Sequence, residues 1–91
     1  MDKKYVYVIT EEIISDYEKI TDNCIAVDDK ELSQYRFNLL VEEKKKEAEE
    51  KGFDDVHCDI PTHFECGIEN NYTRGSICVK LRKVELHERS K

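Results

Sequence analysis

Two sets of side chains in this sequence carry chemistry beyond filling a core. The first is His57, Cys58, His63 and Cys66, with Cys24 and Cys78 elsewhere in the chain. These are the imidazole and thiolate donors that a zinc ion takes. Their spacing, His-Cys-x4-His-x2-Cys, is not that of the usual zinc knuckles. If residues 56–60 form an extended strand, His57 and Cys58 point to opposite faces and cannot hold one ion. The same residues also offer Cys58 or Cys66 as a nucleophile beside His57 or His63. No helix amino terminus follows either cysteine to favour its thiolate, however, and no motif builds an oxyanion hole. The expectation is four reduced cysteines acting as small hydrophobes, with no metal ligand, no cofactor and no catalytic residue.

The second set is acidic. Glu11, Glu12 and Asp16 fall in what reads as one connection, and Asp54 and Asp55 follow the chain's main helical stretch. If the first strand runs up and the second down, the helix returns upward, and all five carboxylates meet at one edge. Spaced carboxylates can stand in for phosphates in a basic groove, so these five residues are the candidate partner-binding site. The overall charge agrees with that choice. Twenty-one Asp and Glu against 15 Lys and Arg give a formal net charge of −6. That balance disfavours nucleic-acid backbones and anionic membranes and favours a basic protein partner.

The elements that must position these groups are organised around Asp28–Lys51, a helical stretch closed by Gly52. Asp28 with Glu31 reads as a capping box, and Gly52 as a left-handed stop. Phe37, Leu40 and Val41 form one apolar stripe with Ala48 further on, and Leu32, Tyr35 and Leu39 form a second. The amino-terminal half is therefore expected to be nearly enclosed. From Glu42 to Lys51 every residue but Ala48 is charged, so that half is expected to project into water.

Around the helix the pattern is strand-like. Tyr5-Val6-Tyr7-Val8-Ile9-Thr10 is apolar on both alternating faces, and a second strand fits within Tyr17 to Val27. Val56, Cys58 and Ile60 alternate with His57 and Asp59. Pro61 ends that strand or places it at an edge, and Thr62–Cys66 resumes it beyond a bend. Gly67–Gly75 reads as a polar loop and Ser76–Val84 as the last strand, with Ile77, Val79 and Leu81 facing the helix. The fold class is α+β: a small twisted sheet of about four strands in ββαββ order, with one principal helix packed on one face. Residues 1–91 make a single small domain whose tail frays from about 86.

Length and composition narrow the function classes. Ninety-one residues support one core and leave little surface for a deep cleft, which argues against an elaborate enzyme. No apolar run approaches a membrane span, and the start lacks the continuous apolar core of a signal peptide. A cytoplasmic protein with free thiols follows.

Tyr5-Val6-Tyr7-Val8-Ile9-Thr10, a short spacer, Ser15-Asp16-Tyr17, a strand, an acidic cap and a charged helix together resemble a group of small phage and Gram-positive bacterial proteins. The resemblance spans about Lys4 to Gly52. It implies a compact accessory protein with no established activity, encoded by a phage or mobile element. Combined with the acidic edge, it leads to the expectation of an anti-CRISPR-like inhibitor that modulates a host protein, such as a nucleic-acid-binding complex, without touching nucleic acid itself. A metal-binding regulatory module using His and Cys is one alternative. A structural accessory subunit of a larger assembly is the other.

Overall fold

The β-rich run that begins at Tyr5 does not stop where its polar residues begin. Ile9, Glu11 and Ile13 keep the two-residue period toward one side, and all three are buried, so the strand continues to Ser15. The computed structural model describes residues 4–15, 18–69 and 74–86. In chain order these form β1 (Lys4–Ser15), β2 (Glu18–Val27), α1 (Lys30–Lys51), β3 (Asp55–Ile60), β4 (His63–Glu69) and β5 (Arg74–Leu86). The strands make one sheet in the order β2-β1-β5-β4-β3, with every neighbouring pair antiparallel.

The α+β class and the single helix on one sheet face stand as expected, but the sheet has five strands, so the order is ββαβββ. The extra strand comes from Pro61 and Thr62, which form a tight turn instead of a bend within one strand. The Thr62 carbonyl accepts from the Leu81 amide at 2.8 Å, and the Pro61 carbonyl accepts from Gln34 Nε2 at 2.8 Å. The turn is thus tied to both β5 and α1. The expected polar loop shrinks as well, because Gly67, Ile68 and Gly75 are strand residues paired across β4 and β5. At the far end Leu86 pairs with Lys4, so the sheet extends to the point where fraying was expected to begin, and residues 87–91 lie outside the described residues.

The caps of α1 follow the sequence in kind. Asp29, one residue later than the expected box, is the N-cap, and its side chain accepts from the Leu32 amide at 2.9 Å. That leaves Glu31 in the first turn beside the positive helix end, not in a reciprocal box. At the other end Gly52 has φ 75°. The Phe53 amide donates to Ala48 O and the Gly52 amide to Glu49 O, which is a Schellman motif, and buried Ala48 and Phe53 supply its hydrophobic contact. Phe53 then lies over Gly75, where an added Cβ would come within 2.5 Å of the ring.

The face that α1 buries is Ser33, Phe37, Val41, Lys44 and Ala48, spaced three to four residues apart. Packed against Ile9, Ile13, Phe64, Cys66, Ile77, Val79 and Leu81 of the sheet, it forms the core. Both expectations about the helix halves need correction. Leu32, Tyr35 and Leu39 are exposed, because at 100° per residue they fall opposite the buried line. The charged half packs down along its length through Lys44 and Ala48. No helix among the described residues is long and apolar enough to cross a membrane.

Candidate functional site

The sheet face away from α1 carries the side chains that alternate with the core. On β5 these include Ser76, Cys78 and Lys80; on β4, His63, Glu65 and Gly67; on β1, Thr10, Glu12 and Ile14. No described element covers this face.

Near its centre three groups converge. His63 and Glu65 stand two residues apart on β4, hence side by side, and Cys78 lies directly across from Glu65 on β5. His63 Nε2 is 3.2 Å from Glu65 Oε1 and 3.7 Å from Cys78 Sγ, and one donor atom from each residue lies within 4.8 Å of the others. All three residues are half-buried. Glu12 stands opposite Cys78 on β1 and brings a second carboxylate to the neighbourhood.

This trio is not a nucleophilic relay. Such a relay needs the thiol and the carboxylate on different ring nitrogens, whereas both contacts here fall on Nε2. Burial, aided by the charges of Glu65 and Glu12 against that of Lys80, pushes the Cys78 thiol up to about 11. At neutral pH it is a protonated thiol and a poor nucleophile.

The spacing in the sequence singles out Cys58 and Cys66 beside the histidines, not Cys78. Cys66 is buried in the core on the helix side, where burial raises its pKa and removes it from solvent. His57 is the extra residue of a bulge: Val56 pairs with Cys66 and Cys58 with Glu65, so strict alternation breaks between them. Cys58 thus sits in register with the open face, and His57 lines a shallow depression of about 510 Å³ there with Asp55, Glu65 and Ser76. Contrary to expectation, His57 and Cys58 are therefore not held to opposite faces. Alternation about Ile77 and Val79 already placed Cys78 on the face away from the helix. The register that sets it beside Glu65 leaves no mark in the sequence.

Of the candidate carboxylates, Glu11, Glu12, Asp54 and Asp55 do not gather as expected. Because β1 runs to Ser15, Glu11 and Glu12 are strand residues on opposite faces, not parts of a connection. Glu11 is only 6% exposed. Its carboxylate lies 3.1 Å from Lys44 Nζ and accepts from Asn23 Nδ2 at 3.0 Å. Lys44 also reaches Glu47 at 2.8 Å. Burial works against the Lys44 ammonium, yet the hydrogen bonds and charges of Glu47 and Glu11 outweigh it and hold its pKa above the ordinary 10.5. Asp54 and Asp55 are exposed at the start of β3, at the same end of the sheet as Ser15. That end was foreseen, but β5 and β4 intervene, so β3 lies three strand spacings, about 14 Å, from β1. Asp16 lies outside the described residues.

A second surface stands on the outer ridge of α1. Leu32, Tyr35 and Leu39, at i, i+3 and i+7, are 43%, 60% and 49% exposed. Around them between residues 28 and 43, Asp28, Asp29, Glu31, Glu42 and Glu43 outnumber Lys30 and Arg36. Comparison of the chain with protein-family models, curated proteins and solved structures finds no match.

Proposed function

We propose that this protein is a small non-enzymatic binding module that recognises another protein through the outer ridge of α1. The observation that carries this reading is the stripe of Leu32, Tyr35 and Leu39, three large apolar side chains held in water on one helical line. A single exposed leucine is ordinary, but a stripe at i, i+3 and i+7 is the pattern by which a helix enters an apolar groove. The surplus of carboxylates around it selects a partner whose groove has a basic rim. In its finer form the proposal makes that partner a nucleic-acid-binding protein of a bacterial host, inhibited by a phage-encoded or mobile-element-encoded chain. The resemblance over Lys4 to Gly52 and the net charge of −6 support that form. Asp54 and Asp55 remain as candidate carboxylates, whereas Glu11 is engaged with Lys44 and Glu12 lies on the sheet face away from α1.

Placing a photo-crosslinking amino acid at Tyr35 tests the reading in cells. A discrete crosslink to a basic protein is expected, and it should disappear in Leu32→Ser/Leu39→Ser while the melting temperature holds. Crosslinks only between copies of the chain, or a crosslink that survives the double substitution, would refute it.

A further inference from the structure

We infer that His63, Glu65 and Cys78 form a three-ligand site for a divalent transition metal ion, with zinc the best fit. His63 Nε2 faces the Glu65 carboxylate at 3.2 Å and the Cys78 sulfur at 3.7 Å, and a ring nitrogen either donates one proton or accepts one. Without an ion, the His63 Nε2–H and the Cys78 thiol both have the Glu65 carboxylate as acceptor, which gathers the three groups at one point. A cation at the centre takes the place of those two protons, and all three donors then point at positive charge.

The spacing agrees with that account. Zinc bonds of about 2.0–2.1 Å to imidazole nitrogen, 2.0–2.2 Å to carboxylate oxygen and 2.3 Å to thiolate imply tetrahedral edges of about 3.3–3.5 Å for N···O and about 3.5–3.6 Å for N···S. The observed 3.2 and 3.7 Å lie close to those edges without any rearrangement of the strands. Antiparallel pairing fixes the positions, because Cys78 and Glu65 are direct cross-strand partners and His63 is the next residue on the same face. The donor set of one imidazole, one thiolate and one carboxylate suits zinc better than magnesium or calcium, which take oxygen ligands.

On binding, the Cys78 thiol gives its proton to solvent and coordinates as thiolate, and His63 binds as neutral imidazole through Nε2. The open face leaves a fourth position for water or for a donor from another molecule. Because its ligands come from β4 and β5, the ion would also fasten those strands together. This site is separate from the ridge of α1, so either proposal can fail without the other.

The test is titration of the metal-free full chain with Co²⁺, followed by displacement with Zn²⁺. One ion per chain is expected, with a thiolate-to-cobalt charge-transfer band that zinc abolishes. Cys78→Ser should remove the band. His63→Gln and Glu65→Gln should each weaken binding beyond the roughly 10–100-fold typical of residues that only support a ligand. Cys24→Ser and Cys58→Ser should leave the titration unchanged. Where circular dichroism shows that Cys78→Ser does not fold, the His63 and Glu65 variants decide, and unchanged affinity in both overturns the inference. Absence of saturable Co²⁺ binding, retention of the band in folded Cys78→Ser, or its loss in Cys58→Ser would each overturn it as well.

Discussion

At the scale of single residues, the most consequential pair is Glu11 and Lys44, buried at 6% and 7% exposure between sheet and helix. Composition reads both as surface charges, since Lys and Glu are almost never fully buried unless paired. What hides the pair from a reading of the sequence is that its members lie 33 positions apart on different elements. Only the register of α1 on β1 brings them to 3.1 Å. The predicted consequence is an asymmetry between single and double variants. Glu11→Leu leaves the Lys44 ammonium buried with Glu47 alone and should cost about 3 kcal/mol, whereas Glu11→Leu with Lys44→Met should come within about 1 kcal/mol of the parent or exceed it. The pH dependence has a definite sign. A lysine whose pKa is raised by folding contributes stability that is fully present below its ordinary 10.5 and is lost as pH climbs through the raised value. Urea midpoints at pH 7.5 and pH 11 should therefore fall further in the parent than in the double variant. If Glu11→Leu is as stable as the double variant, the pair is not the buried charge described.

At the scale of elements, the helix was the most legible feature and also the one whose packing was most misread. Its length, an aspartate cap and its glycine stop follow from local chemistry, which a sequence displays directly. Which stripe it buries depends on the whole sheet below it. Two apolar lines compete in the sequence, and the one containing Phe37 and Val41 wins because it is continued by Ser33, Lys44 and Ala48, small or paired enough to lie on the strands. The line of Leu32, Tyr35 and Leu39 ends in Glu42 and Lys46 and cannot lie on strands over the full helix. Phe37→Ala should accordingly cost about 3–5 kcal/mol, and Leu39→Ala should stay within about 0.5 kcal/mol. Comparable shifts of the urea midpoint in the two variants would show that the helix lies on the sheet by a different face.

For the molecule as a whole, α+β composition, one helix and strand-rich flanks were readable, but the order of strands was not. Alternation identifies a strand and its buried face, and says nothing about which neighbour it takes. The outcome is that β5, the last strand in the chain order, lies at the centre, paired with β1 on one side and β4 on the other. It carries Ile77 and Val79, both at 0% exposure, and Leu81, and its twelve registered partners on β1 run from Lys4 to Ser15. Without it the chain holds two hairpins, β1–β2 and β3–β4, joined only through α1, and isolated hairpins are marginal in water. Both long-range pairings must also be made against the entropy of closing large loops, so local structure cannot substitute for them. A chain ending at residue 73 is therefore expected to lack cooperative unfolding and to show fast amide exchange throughout, β1 and β2 included. Adding a synthetic peptide of residues 74–86 should restore a cooperative transition whose midpoint rises with peptide concentration, because binding to the folded form alone shifts the equilibrium by mass action. A truncated chain that melts cooperatively with β1 protected would mean that the β1–β2 hairpin and α1 form a stable unit by themselves, and that β5 is not the strand on which the sheet depends.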